Sequence, residues 1–236
     1  MPQSGDPAKP APIRRAKGEQ ARANLKAAAI TVLERDGYHQ MRITAVTAEA
    51  GVAAGLFYHY FPDLKSLTVE VLTDFMARFE SVLEIEKGVR KGDWFERILA
   101  HNRIVVENYV QHPGIMRCMV QVSDEQPEFA ELWRRSFYWQ LELLVELMPK
   151  LFPQAQLSPV EARAVVYALG GIGETLLRDY YIAKTPELRA LDLSQEEMAE
   201  WLAVMFYRGL FLENPAQDKL QYAGKIAQLR RSIAGE

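Results

Sequence analysis

The residues best suited to recognition chemistry in this sequence are small and aromatic side chains that one short helix would turn towards solvent: Ala54, Gly55, Tyr58 and His59. Two short helices are predicted here, at residues 44–50 and 53–60, with Gly51 in the turn between them. This pair matches the helix-turn-helix layout, in which the second helix enters the major groove of DNA. The pattern therefore favours nucleic-acid recognition by residues 53–60.

The aromatic residues of this stretch have alternative roles. Tyr58 and Tyr60 could instead pack in the core of a helical bundle, where Phe61 is expected in either case. His59 is a poor candidate for a metal ligand, because no other His, Cys or carboxylate lies beside it at helical ligand spacing.

Charge is unevenly distributed along the 236 residues, whose formal net charge is −3. Residues 1–33 hold six Lys and Arg against two acidic residues, so the remainder of the chain is acidic. A basic head on an acidic body suggests that the head meets a polyanion, although a solvated basic tail is the alternative. Residues 1–18 are expected to be a disordered basic arm, in which Arg14, Arg15 and Lys17, followed by Arg22, could reach a minor groove.

The elements that must position these residues are helices throughout, and no alternating strand pattern of useful length is found. Ser158 with Glu161, and Ser194 with Glu197, have the spacing of capping boxes that open two long helices. We expect Pro149 to end one helix. The fold class predicted is all-α, with helices at about 19–36, 44–50, 53–60, 63–86, 93–111, 115–122, 127–148, 158–183, 194–214 and 218–232.

Residues 50–61, AGVAAGLFYHYF, closely resemble the TetR family of repressors, as does the preceding helix that ends in RDGY. The resemblance covers residues 20–67 and implies an N-terminal three-helix helix-turn-helix domain at 19–67. A larger helical ligand-binding and dimerisation domain would then occupy 68–236. The sequence departs from the family's pattern at Ala53, Leu56 and Leu64, where a Ser, a Thr and a Lys are common.

The resemblance implies roles for single residues in binding double-stranded DNA. Base edges would be touched by Ala54, Gly55 and Tyr58. Because these three residues offer few polar groups, contacts with thymine methyls and recognition of DNA shape should contribute more of the sequence specificity. Phosphates, which fix register, would be held by Arg42, Thr44, His59, Tyr60 and Lys65.

The resemblance also places a homodimer interface on the last two long helices, at about 159–183 and 195–212. An apolar face and small residues at these positions permit close helix approach, with a contact inside one chain as the alternative. The residues chosen are Ala168, Gly171, Met198, Trp201, Leu202, Met205 and Phe206.

A pocket for a small, largely apolar effector is expected between the middle helices, although each candidate residue, taken singly, fits plain core better than pocket wall. His101, Asn102 and Glu174 are the polar groups best suited to orient such a ligand. The other candidates are Tyr109, Met116, Met119, Trp133, Phe137 and Trp139.

Other classes of protein are disfavoured. No nucleophile motif, phosphate loop or paired-histidine metal site is present, so we expect neither an enzyme nor a cofactor. No secretory signal or membrane-spanning segment is evident, and the single cysteine, Cys118, forms no intramolecular disulfide, so a cytoplasmic protein is expected.

The favoured function is a ligand-responsive regulator, with effector binding changing the tilt of helix 63–86. The alternative is a helical protein-interaction module with a vestigial DNA-binding head.

Overall fold

The computed structural model describes residues 12–77, 88–123, 125, 127, 129–131 and 139–229. Within these ranges the chain forms helices and contains no strand, which confirms the all-α class. The α-helices of four residues or more in these ranges are α1 (Pro12–Asp36), α2 (Ile43–Glu49), α3 (Ala54–Tyr60), α4 (Leu64–Ala77), α5 (Trp94–Gln111), α6 (Pro113–Ser123), α7 (Trp139–Leu151), α8 (Pro159–Leu177), α9 (Pro186–Arg189), α10 (Gln195–Phe211) and α11 (Gly224–Ala227). A π-helix, Arg178–Ile182, continues α8.

The chain divides into two compact units, residues 1–73 and 74–236, and the boundary falls inside α4. The sequence-based boundary after residue 67 lies six residues earlier. In the first unit, one face of α1 packs with α2, α3 and the first part of α4. The side chains that are fully or almost fully buried there include Leu25, Ala29, Val32, Leu33, Val46, Phe57, Phe61 and Leu67.

Helix α1 begins at Pro12, seven residues before the expected start at residue 19. Proline suits the first helical position, and the Arg, Ala and Lys residues after it are good helix formers. Residues 12–18 are therefore helical rather than a disordered arm, while residues 1–11 lie outside the described part of the chain. Arg22 is also no part of an arm, because its guanidinium pairs with Glu70 on α4 and lies over the ring of Phe61.

Helix α10 organises the second unit. On one side α5 runs antiparallel to it, because the ring of Phe95 contacts that of Tyr207 while Arg103 hydrogen-bonds Glu196 at 2.9 Å. On another side α8 also runs antiparallel to α10. A Cβ added to Gly209 would collide with Leu169, and one added to Gly173 would lie 3.5 Å from Leu202. Since both helices oppose α10, α5 and α8 run parallel to each other.

Both predicted capping boxes are confirmed. The hydroxyl of Ser158 accepts from the backbone N–H of Glu161, and Ser194 does the same with Glu197, at the starts of α8 and α10. The carboxylates of the two glutamates accept from the backbone N–H of each serine in return. Each box satisfies backbone donors that a helix start otherwise leaves unpaired.

Two predicted helix ends are wrong. Helix α7 continues through Pro149 to Leu151, because proline removes one N–H donor but the backbone N–H of Phe152 still donates to Met148 at 2.8 Å. The sequence pattern predicts a last helix at 218–232, but among the residues described there the α-helix is Gly224–Ala227. The buried carboxylate of Glu200 accepts the backbone N–H groups of residues 221–223, which are thereby withdrawn from helical hydrogen bonds.

Candidate nucleic-acid interface and effector cavity

Helices α2 and α3 form the predicted helix-turn-helix. Gly51 has φ +65° in the turn between them, a left-handed conformation that suits glycine. The backbone N–H of Val52 donates to Thr47 at 3.0 Å and closes the turn. Val46 and Phe57 are fully buried between these helices and α1. The turn and this small apolar contact hold α3 at a fixed angle on the unit.

The outer face of α3 carries the residues expected to meet base edges. Ala54 and Gly55 are exposed, and Tyr58 is 63% exposed although it is a large aromatic residue. The ring of Tyr58 meets Phe57 edge to face, with centroids 5.5 Å apart. Tyr58 is therefore placed on the surface, so the alternative of a core aromatic does not apply to it.

The residues expected to hold phosphates surround this face. Arg42, Thr44 and His59 are exposed, whereas Tyr60 and Lys65 are half-buried. Nη1 of Arg42 donates to the carbonyls of His39 at 2.8 Å and Met41 at 3.0 Å, so part of its hydrogen-bonding capacity stabilises the turn before α2. The hydroxyl of Tyr60 lies 3.5 Å from where a Cβ on Gly18 would be. Tyr60 therefore packs against α1 with part of its side chain and is partly exposed to solvent.

The N-termini of α3 and α4 differ in capping. Ala53 precedes α3 in extended backbone geometry and provides no side-chain cap. Asp63 caps α4, because its carboxylate accepts the backbone N–H of Ser66 at 2.7 Å. This hydrogen bond lowers the pKa of Asp63 below its ordinary value. The start of α3 therefore lacks the side-chain cap that α4 has.

The second unit contains a cavity of about 390 Å³. Three predicted effector-binding residues line it, namely His101 and Asn102 on α5 and Glu174 on α8. The rest of its wall is mostly aliphatic. The other lining residues are Trp94, Arg97, Ile98, Val105, Leu141, Leu143, Leu144, Glu146, Leu147, Leu169, Gly170, Ile172, Gly173, Leu177, Leu202, Met205, Phe206 and Leu210.

Three other effector candidates are not brought to this cavity. Tyr109, Met116 and Met119 are buried at 0–1% exposure and belong to the core. Their types suit a pocket wall and a core equally well, which is why sequence patterns could not separate the two. Trp133, Phe137 and the side chain of Trp139 lie outside the described residues. The sequence missed Arg97 and Glu146, which line the cavity without any motif to mark them.

The polar groups of the cavity wall have unusual environments. Burial lowers the pKa of His101 to about 4, so its imidazole is neutral at pH 7. Burial raises the pKa of Glu174, and the nearby charge of Arg178 offsets this only in part. Nδ2 of Asn102 donates to the carbonyl of Ile98 at 2.8 Å. The wall therefore presents a neutral imidazole, an amide oxygen and a partly desolvated carboxyl group.

Comparison with known proteins identifies the first unit. Residues 25–71 match the family model of bacterial regulatory proteins, tetR family. Over these residues the chain is similar to the TetR family. The matched segment includes all of α2 and α3 and the second half of α1, so the predicted resemblance is confirmed where the sequence placed it.

Curated relatives show a similar likeness. The chain is 28% identical over 88 residues to the HTH-type transcriptional regulator YdgC of Bacillus subtilis, covering 36% of this chain and 45% of that protein. It is 23% identical over 119 residues to the HTH-type transcriptional regulator EthR of Mycolicibacterium smegmatis, covering 50% and 55%. The chain thus spans about half the length of these curated relatives.

Solved structures extend the likeness of fold to both units. A TetR-family transcriptional regulator from Bordetella parapertussis has a TM-score of 0.61 at 18% identity, covering 84% of this chain and all of that one. The fatty acid degradation regulator FadR from Bacillus halodurans has a TM-score of 0.60 at 15% identity, covering 84% and 96%. At these identities the comparison shows the fold alone.

The predicted dimerisation residues fall into three groups by their exposure in the protomer. Met198 and Leu202 are buried within one protomer at 0% and 3% exposure, so they are corrected to intrachain core. Ala168 is exposed and Met205 is 38% exposed. The partly exposed members are Gly171, Trp201 and Phe206. The periodic apolar face of α10 therefore includes positions that serve the fold of a single chain.

Within the described residues, no helix is long and apolar enough to cross a membrane. The same part of the chain contains no group of three or more His, Cys, Asp or Glu side chains that could hold a metal ion.

Proposed function

We propose that this chain is a ligand-responsive transcriptional regulator that binds a palindromic DNA operator as a homodimer. The observation that carries the proposal is the outer face of α3. Tyr58 and His59 are exposed there beside Ala54 and Gly55, while Phe57 anchors the opposite face in the core. A helix held in this way can enter a major groove without disturbing the unit that supports it.

Recognition of the operator would combine a few base contacts with phosphate contacts around them. Ala54 and the ring of Tyr58 can contact thymine methyls, and Gly55 lets the backbone approach the bases closely. Arg42, Thr44, His59, Tyr60 and Lys65 remain the proposed phosphate contacts. Because these base-facing side chains offer few hydrogen bonds, sequence-dependent DNA shape would contribute much of the specificity.

The proposed dimer interface uses the exposed apolar positions of α8 and α10. Val165, Ala168 and Ile172 follow one another at helical spacing on α8 and are all exposed. A Cβ added to Gly171 would meet nothing within 4 Å in the protomer, which leaves room for a partner. Met205 continues the apolar surface on α10. A two-fold pair would present two recognition helices to a two-fold symmetric site.

The cavity of the second unit is the proposed effector site, and repression is the proposed action of the ligand-free dimer. Effector binding would change the tilt of α4 and so the spacing of the two recognition helices. An allosteric coupling of about 1–3 kcal/mol changes operator affinity by roughly 5–150-fold, enough to release a gene. We place this action in the cytoplasm because the proposed partner is genomic DNA.

Selection from a random duplex DNA library, with purified ligand-free protein at physiological salt, tests the proposal. Enrichment of a palindrome is expected, with half-sites about one helical turn apart. Absence of any enriched sequence, even at low salt, would overturn the DNA-binding role. The alternative of a helical protein-interaction module with a vestigial head would then be the better account.

A further inference from the structure

The cavity of the second unit carries hydrogen-bond acceptors on one part of its wall. We propose that it binds a cationic amphiphile, a primary or secondary amine with an apolar body, whose ammonium group is held by Glu174. This deepens the proposed function, since it takes the cavity to be the effector site and names the class of effector. The inference rests on where Glu174, Asn102 and His101 lie and on what they can accept.

These three residues lie at a similar level of the cavity. Helices α5 and α8 run parallel, and the ring of Tyr109 on α5 lies 6.4 Å, centroid to centroid, from that of Tyr181 in the π-helix that continues α8. Seven residues, or about two helical turns, before these two tyrosines lie Asn102 on α5 and Glu174 on α8. Both line the cavity, and His101 precedes Asn102 directly. A ligand that fills the cavity therefore meets acceptor groups from both helices.

Each of the three can accept a hydrogen bond from a ligand. Within the described residues, the carboxylate of Glu174 makes no hydrogen bond, although Arg178 lies near enough to affect its charge. Nδ2 of Asn102 is bound to the carbonyl of Ile98, so its Oδ1 is the atom left to accept. The imidazole of His101 is neutral, because burial lowers its pKa to about 4, and a neutral imidazole has one acceptor nitrogen. An ammonium group with two or three N–H donors matches this set.

The other charged groups of the wall are placed differently. Arg97 lies one turn before His101, with its guanidinium over the ring of Trp94 at 5.5 Å, and Glu146 on α7 is exposed. Helix α10 contributes apolar side chains to the wall: Leu202, Met205, Phe206 and Leu210. A cation beside Glu174 would therefore replace lost hydration of the carboxylate, while its apolar body lies along aliphatic side chains. An anionic amphiphile would instead have to bind Arg97.

Isothermal titration calorimetry of the full chain with three probes of equal chain length distinguishes a cationic from a neutral or an anionic ligand. Decylamine, decanol and decanoate are used at submicellar concentration and pH 7. Decylamine is expected to bind about ten-fold or more tightly than either of the others, because a hydrogen-bonded charge pair is formed by the amine alone. Glu174→Gln should reduce decylamine affinity about ten-fold while leaving decanol affinity unchanged, which also shows that the variant cavity is intact.

Glu146→Gln removes the same charge from the exposed part of the wall and is the matched comparison. It should change decylamine affinity by less than about three-fold, because solvent screens an exposed charge. Decylamine affinity should also fall as the pH drops through the raised pKa of Glu174, and this fall should be absent in Glu174→Gln. His101 stays neutral above pH 5, because burial lowers its pKa to about 4.

Three results would overturn the proposal: tightest binding of decanoate, equal affinity of wild type and Glu174→Gln for decylamine, or no binding of any probe. Failure of the proposed function is recognised separately with the selected operator DNA. If decylamine binds through Glu174 but never releases DNA, the amine site stands and the effector role fails. If apolar compounds release DNA equally from wild type and Glu174→Gln, the regulator stands and the amine site fails.

Discussion

The guanidinium of Arg163 on α8 donates two hydrogen bonds to the carboxylate of Glu142 on α7, at 2.8 and 2.9 Å. The hydroxyl of Tyr167 donates a third at 2.6 Å. Together these donors lower the pKa of Glu142 from its ordinary value of 4.5 to about 2. A carboxylate with a depressed pKa in the folded state stabilises the fold above its unfolded pKa, and this contribution is lost as the pH falls through the folded pKa.

Glu142→Gln should therefore reduce the dependence of the free energy of unfolding on pH in the acid range. The free energy of unfolding of the wild type is expected to fall more steeply than that of the variant between pH 4.5 and about 2. Denaturant unfolding at several pH values measures both slopes. Tyr167→Phe removes one of the three donors and should give an intermediate slope. Parallel curves for wild type and Glu142→Gln would contradict the assignment.

Tyr58→Ala tests the recognition helix. The side chain is 63% exposed, so its loss should leave folding and dimerisation intact while weakening binding to the selected operator. A reduction of about ten-fold is expected, in line with one good base contact. Tyr222→Ala removes another exposed tyrosine, far along the chain, and should leave operator affinity unchanged. Loss of the dimer in Tyr58→Ala, seen by sedimentation, would mean that the ring serves the fold.

The helix-turn-helix could be predicted from sequence because its constraints are local. The glycine in the turn, the buried Phe57 and the exposed Tyr58 follow from helical spacing within twenty residues. The cavity could be predicted only in part. His101, Asn102 and Glu174 stand out as polar residues in apolar helices, but whether Tyr109 or Met116 faces a cavity or a core depends on which distant helix packs against it. Sequence spacing carries no information on that.

Ala53→Ser should stabilise the N-terminal unit. Residue 53 has the extended geometry of a helix cap, with φ −67° and ψ 143°, but its methyl group cannot accept a backbone N–H. A serine there should raise the free energy of unfolding by about 1 kcal/mol. The reverse change at the start of α10, Ser194→Ala, removes an existing cap and should cost about the same. Urea titration followed by circular dichroism compares both. No gain from Ala53→Ser would show that α3 is already fixed by packing.

Glu200 on α10 anchors the C-terminal segment in a way that sequence patterns do not reveal. Its side chain is 3% exposed and accepts backbone N–H groups from Gln221, Tyr222 and Ala223 at 2.7–3.1 Å. Glu200→Ala would leave these donors without an acceptor. We expect a loss of roughly 3 kcal/mol in unfolding free energy.

Glu200→Gln is the matched variant, because it keeps one acceptor oxygen and nearly the same volume. It should lose less stability than Glu200→Ala, and hydrogen exchange of residues 221–223 should rise in the order wild type, Gln, Ala. Unchanged exchange at these amides in Glu200→Ala would refute the anchoring role.

Ala168→Arg tests the proposed dimer interface. Ala168 is exposed in the protomer, so an arginine fits without strain, but in a dimer it would bring like charges together across the two-fold axis. The variant should sediment as a monomer at concentrations where the wild type is a dimer. Ala190→Arg, at another exposed alanine, should leave the assembly unchanged. A dimeric Ala168→Arg protein would place the interface elsewhere.

The boundary between the two units falls between residues 73 and 74, inside α4 rather than in a loop. Each residue added to an α-helix rotates the remainder of the helix by about 100° and advances it by about 1.5 Å. Exchange of the first unit between this chain and a similar regulator therefore cannot be designed as the cutting and joining of a flexible linker. A working chimera must keep the number of residues in α4 unchanged, because an insertion or deletion of one residue would turn everything after it about the helix axis.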